Sequence, residues 1–200
     1  MKLDDPQNTA ERYALMAREN YERDGEVNPI MAICCEERTA ICLMQGTDDL
    51  PLAFGRTIAM AATILRPSYV VTVTEVWKKS YDGAGQTEDE VRTAAERIQR
   101  GDLAKMVEAG DETVQTALMT IAWTMDPTQA VAVIDTVLDD KSYDRVITVG
   151  EQEGYMIDRV IGGWKFGLTL PAPDFEMTPE MLVGMMGAGG DVAAVLMELS

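Results

Sequence analysis

The chain has 200 residues, of which 46% are hydrophobic, and this length and composition are typical of one globular domain. Acidic residues outnumber basic residues by 34 to 17, so the formal net charge of −17 repels the phosphates of nucleic acids and of anionic membrane surfaces. Because the chain contains no histidine, hydrolase triads and histidine-based zinc sites are excluded.

The first half of the chain predicts a helix, a hairpin, a buried helix and a central strand. Apolar residues recur on one stripe of residues 9–23 and predict an amphipathic helix. Two apolar runs, 30–35 and 39–44, flank a short charged turn and predict a β-hairpin. Residues 52–65 are apolar nearly all round and predict a buried helix. Residues 69–77 are rich in β-branched side chains and predict a central strand.

The second half predicts a helical insertion followed by a three-strand meander. Residues 86–110 open with a capping box and carry an apolar stripe, so they predict a helical excursion between strands. Strand patterns then occupy 115–125, 130–138 and 143–149, with turn residues between them, and the first of these strands is expected to be half exposed. Since few units alternate strand with helix, we predict the α+β class, with helices packed on a largely antiparallel sheet.

The C-terminal part is predicted to be less regular and then helical. Gly162-Gly163 and the prolines that follow indicate an irregular stretch, and residues 192–199 predict a last helix. We therefore expect one α+β domain over residues 1–170 and an acidic, methionine-rich helical appendage over residues 171–200.

The appendage carries the candidate partner-binding residues. Flexible thioethers beside a glycine-rich hinge suit an adaptable docking surface for a protein partner or a second copy, and the alternative is that these helices close over their own sheet. The candidate residues are Met177, Met181, Met185 and Met186.

Two carboxylates are the candidate catalytic residues. Glu75 shares a strand face with apolar residues, and burial there would raise its pKa, as a general acid or base requires. The alternative is that Glu75 pairs with Lys78, Lys79 or an arginine at the strand end. Asp135 lies in the same kind of apolar strand, and two carboxylates on adjoining strands could bind Mg²⁺ or share a proton. The chain has no recognised metal-loop spacing.

Cysteine usage and the chain's apolar runs indicate where the protein resides. Cys34, Cys35 and Cys42 lack a disulfide or zinc-ligand spacing and are expected to be buried thiols of a reducing compartment. The longest apolar stretch, 58–65, is far shorter than the roughly 20 residues that a membrane helix needs, and the first residues are polar, unlike a signal peptide. We expect a soluble, cytoplasmic protein that contacts neither membranes nor nucleic acids.

One short motif resembles known sequences. It reads Arg66-Pro67-x-x-Val70-Val71-x-Val73-x-Glu75-x-Trp77. With the apolar helix before it and the meander after it, about residues 27–150 resemble small uncharacterised proteins of actinobacteria and their phages. The resemblance implies a phage or mobile-element context and supplies no site residue.

The sequence favours a non-catalytic accessory protein that acts through protein–protein contacts and self-associates, with no cofactor. One alternative is an acidic mimic of DNA that inhibits a nucleic-acid-binding protein, since its net charge is strongly negative. The other is an enzyme that uses Glu75 and Asp135 with a divalent cation.

Overall fold

The fold is known from a computed structural model. It describes residues 5–35, 38–44, 49–79, 87, 105–106, 109–111, 113–138, 142–150, 155–171, 184 and 192–198. Within these residues the chain forms three α-helices and seven strands. Their order is α1 (Pro6–Asp24), β1 (Ile30–Cys34), β2 (Arg38–Met44), α2 (Leu50–Leu65), β3 (Tyr69–Lys79), β4 (Val114–Trp123), β5 (Val131–Val137), β6 (Tyr143–Val149), α3 (Tyr155–Thr169) and β7 (Val192–Glu198).

All seven strands belong to one sheet, in the spatial order β6-β5-β4-β3-β1-β2-β7. Every neighbouring pair is antiparallel. The predicted α+β class, the β1–β2 hairpin and the β4–β5–β6 meander are therefore confirmed. Helix α2 leads from β2 to β3, and β1 lies between these two strands.

The helices cover the two faces of the sheet unequally. Helix α1 lies over β3, β4 and β5 on one face, whereas α2 contacts β1 and β2 on the other face, and α3 packs against α2. Because β4 lies under α1 in the middle of the sheet, Thr120 is fully buried. The prediction that β4 is half exposed is wrong, because α1 covers the face that carries Thr120.

Local signals explain how α1 is placed on the sheet. The Asp5 side chain accepts a hydrogen bond from the Asn8 amide at 3.0 Å, and Pro6 occupies the first turn. Gly25 ends the helix in the left-handed region with φ 80°, where only a residue without Cβ is unstrained. Tyr13 and Ala17 are buried against the sheet, which confirms the predicted amphipathic helix.

Helix α3 corrects the prediction of an irregular stretch at Gly162-Gly163. Gly163 and Gly167 are packing residues, because α3 crosses α2 closely. A Cβ atom at Gly163 would overlap the carbonyl oxygen of Gly55, and one at Gly167 would overlap that of Ala59. Glycine therefore allows the two helix backbones to meet. None of the helices among the described residues is long and apolar enough to cross a membrane.

Strand β7 corrects the prediction of a last helix over 192–199. Alanine, leucine and methionine favour helix, but all seven residues of β7 pair with β2, and this tertiary pairing overrides local propensity. These residues of the predicted appendage thus belong to the sheet. Met177, Met181, Met185 and Met186 lie outside the described residues, as does most of the predicted helical insertion at 86–110.

The close crossing of α2 and α3 makes a testable prediction. Gly163→Ala should lower the free energy of unfolding by roughly 1–3 kcal/mol, because the added methyl group must push α3 away from the Gly55 carbonyl. Urea denaturation measures the change.

Gly162→Ala is the matched control in the same helix. A Cβ atom there meets nothing within 4 Å, so this variant should be stabilised by up to about 1 kcal/mol through helix propensity. Equal effects at the two positions would contradict the close crossing.

Candidate functional site

The two predicted carboxylates lie in one row across the sheet. Glu75 on β3 is directly opposite Leu118 on β4, and Leu118 is directly opposite Asp135 on β5. Both acids therefore point to the face that α1 covers. Two strand spacings separate their backbones by about 9.5 Å, with the Leu118 side chain between them.

Asp135 is bound by two arginines. Its side chain is 0% exposed, and Arg145, directly opposite on β6, donates from Nε to Oδ1 at 2.7 Å and from Nη2 to Oδ2 at 2.8 Å. Arg18 of α1 donates from Nε to Oδ2 at 2.9 Å and from Nη2 to Oδ1. Both carboxylate oxygens are thus occupied by charge-assisted hydrogen bonds, which are the strong kind.

The arginines also set the protonation of Asp135. Burial alone would raise the pKa of this carboxyl, but the hydrogen bonds from Arg145 and Arg18 outweigh burial and hold the pKa below its ordinary value. Asp135 is consequently an anion at neutral pH and a poor proton donor or acceptor.

Tyr143 completes this arrangement at the end of β6. The Arg18 guanidinium lies 4.5 Å from the centre of its ring, a cation–π contact. Burial, and then the nearby Glu22 carboxylate, raise the pKa of Tyr143. We call Arg18, Asp135, Tyr143 and Arg145 the charge cluster. It joins α1 to β5 and to β6.

Glu75 has a separate environment. It is half-buried, and its Oε2 accepts a hydrogen bond from the Val27 amide at 3.4 Å. Burial raises the pKa of Glu75, the Val27 amide opposes that effect, and Glu26 adds to it. Lys78 points to the opposite face and donates to the Thr136 hydroxyl at 3.2 Å.

The structure also contains a groove, which neither carboxylate lines. Its volume is about 140 Å³, and it lies between the C-terminal half of α1 and strands β1 to β3. Its walls are formed by Tyr13, Met16, Ala17, Asn20, Arg23, Asp24, Glu26, Val27, Asn28, Ile30, Leu43 and Val73. Among the described residues, no group of three cysteine or acidic side chains could hold a metal ion.

Beside the charge cluster, β6 forms an edge of the sheet. None of the described strands pairs with its outer side. The Leu138 amide bonds the Ser142 carbonyl at one end of the β5–β6 pair, and the Gly150 amide bonds the Ala130 carbonyl at the other. Backbone hydrogen bonds alternate along an antiparallel pair, so even-numbered residues of β6 bond to β5. The N–H and C=O groups of the odd-numbered residues point outward, namely Tyr143, Arg145, Ile147 and Val149.

Three aliphatic side chains of this edge are exposed to solvent. Val146 is 44% exposed, Ile147 41% and Val149 60%. Edge strands are commonly protected by lysine or proline, and residues 143–149 contain neither. We call residues 143–149 the β6 edge. The sequence predicted this strand but could not place it at the edge, because strand order depends on long-range pairing.

Comparison of the chain with family models, curated proteins and solved structures finds no match. The resemblance of residues 27–150 to actinobacterial and phage proteins therefore stays a prediction.

The charge cluster predicts a pH-dependent loss of stability in Asp135→Asn. The variant leaves two arginines without their anion and should lose about 3 kcal/mol at pH 7, the lower end for a buried pair, because Arg18 and Arg145 are 22% and 29% exposed. The pKa of Asp135 is lower in the folded chain than its value of about 4 in the unfolded chain. The ionised carboxylate therefore contributes its full stabilisation above about pH 4, and this stabilisation is lost as the pH falls through the folded pKa.

Urea denaturation from pH 7 down to acid measures this difference, with Asp144→Asn as the control. Asp144 is exposed on the same strand, so its loss should change stability little. A pH-independent difference between wild type and Asp135→Asn would contradict the account.

Glu75→Gln should behave in the opposite way. The folded pKa of Glu75 is raised, so its ionisation costs stability as pH rises past the unfolded value of about 4, and glutamine removes that cost while its carbonyl still accepts from Val27. We expect a higher melting temperature than wild type at pH 7 and a smaller difference at acid pH. A lower melting temperature at pH 7 would show that the charge itself stabilises the fold.

Proposed function

We propose that this protein is a non-catalytic accessory protein that binds another protein chain. A strand of that other chain pairs with the β6 edge and extends the sheet. The observation that carries the proposal is the row of outward backbone groups at Tyr143, Arg145, Ile147 and Val149, flanked by exposed apolar side chains. Strand addition uses such backbone groups for affinity and the alternating side chains for specificity.

The charge cluster prepares this edge for binding. Arg145 is fixed to Asp135 by two hydrogen bonds, and Tyr143 packs against Arg18. Two of the four residues whose backbone groups point outward are therefore held in place before a partner binds. A strand that is already ordered loses less conformational entropy on binding. The buried charges therefore support an interaction surface, and Asp135 is a positioning residue.

Electrostatics also favours contact at this edge. The chain has a formal net charge of −17, but the β6 edge contains one acid, Asp144, and one base, Arg145. Two acidic proteins repel each other least where their local charge is balanced. The edge can thus receive a partner strand that need not be basic.

Proline at residue 147 tests strand addition. The Ile147 amide points outward, so Ile147→Pro removes a donor that only a partner would use and leaves the hydrogen bonds to β5 intact. We expect native mass spectrometry to show a bound protein chain with the wild type and its loss with Ile147→Pro.

Ile147→Ala is the matched control, because it shortens the same side chain and keeps the amide donor. It should retain the partner with weaker affinity. Equal retention by the proline and alanine variants would contradict strand addition, since the backbone donor would then play no part.

A further inference from the structure

The β6 edge can pair with a second copy of the same strand. We propose that the added strand is β6 of a second copy of this chain, paired antiparallel about a twofold axis that passes through Val146. This inference rests on the proposed strand addition and names its occupant. The two sheets would join into one continuous sheet, with α1 of each copy on the same face.

Backbone geometry restricts the possible registers. Only the odd-numbered residues have outward N–H and C=O groups, so they must form the hydrogen-bonded pairs of the new ladder. When Val146 lies on the axis, Arg145 pairs with Ile147 of the second copy, and Tyr143 pairs with Val149. In this register all seven residues of β6 are paired.

Side-chain chemistry supports the same register. Asp144 faces Thr148 of the second copy and Arg145 faces Ile147, so no two like charges oppose each other. A shift that centred the axis on Arg145 would place two guanidinium groups in contact. The two Val146 side chains, each 44% exposed in the single chain, meet at the axis and remove each other from water.

Among the described residues, the helices leave the β6 edge open to a second copy. Helix α1 lies over β3, β4 and β5, and α2 contacts β1 and β2, so these helices lie over strands on the inner side of β6. Val146 faces the side of the sheet that carries α2, and Ile147 faces the side that carries α1. Pairing would bury apolar surface on both sides of the joined sheet.

A symmetric disulfide tests the register. In Val146→Cys the two thiols would face each other at a non-hydrogen-bonded pair with a Cα separation of about 4.5 Å, which a disulfide can bridge. Mild oxidation should give a covalent species of twice the 22.0 kDa mass of one chain. In the control Thr148→Cys, the thiols lie about 13 Å apart along the strands and should not join.

Wild-type protein controls for the native cysteines. Cys34 and Cys42 are buried, which raises their pKa values to about 11 and about 12 and lowers their reactivity. Cys35 was expected to be buried but is only partly so, and any cross-link through it would form in the wild type as well. Equal cross-linking of the two cysteine variants, or none with Val146→Cys, would overturn the proposed register.

Sedimentation across a range of concentrations separates this inference from the proposed function. The wild type should form a dimer, and Ile147→Pro should weaken it at least roughly tenfold, because two symmetry-related hydrogen bonds are lost. A wild type that stays monomeric while a different protein is retained in an Ile147-dependent manner would overturn the second-copy proposal alone. A dimer that is unchanged in Ile147→Pro would overturn β6 pairing as its basis.

Discussion

The interaction on which this structure depends is the binding of one buried carboxylate by two arginines. Asp135 lies within the sheet, Arg145 reaches it from the neighbouring strand, and Arg18 reaches it from α1. A buried charge is costly unless its hydrogen-bonding capacity is satisfied, and removing either arginine would leave Asp135 with two of its four hydrogen bonds. The two arginines thus tie α1 and β6 to β5.

The two acidic residues that the sequence paired as candidate catalytic groups, Glu75 and Asp135, have different environments. Asp135 is an anion held by two arginines, and it links α1, β5 and β6. Glu75, in the same row, is half-buried with a raised pKa and a single amide donor at Val27. Burial alone would raise the pKa of both residues. The pKa of Asp135 is instead lowered, because two arginines bind it and none binds Glu75 among the described residues. The interaction surface that we propose is the outer side of β6.

The sequence predicted most local elements but few of the long-range relationships. Strong β-branched runs located β3, β5 and β6, and the run of apolar residues located α2, because these signals are local. The pair Gly162-Gly163 predicted an irregular stretch, but Gly163 instead admits the Gly55 carbonyl of a distant helix. Likewise, Asp135 was found as an acid in an apolar strand, but neither arginine could be assigned to it, because Arg18 lies 117 positions away.

Amide hydrogen exchange along β6, in the free and the bound protein, tests the central claim most directly. The account predicts that the Val146 and Thr148 amides, which bond to β5, exchange slowly in both states. The Arg145 and Ile147 amides should exchange rapidly in the free chain and slowly in the complex. A complex in which the Arg145 and Ile147 amides exchange as fast as in the free chain would contradict strand addition at this edge.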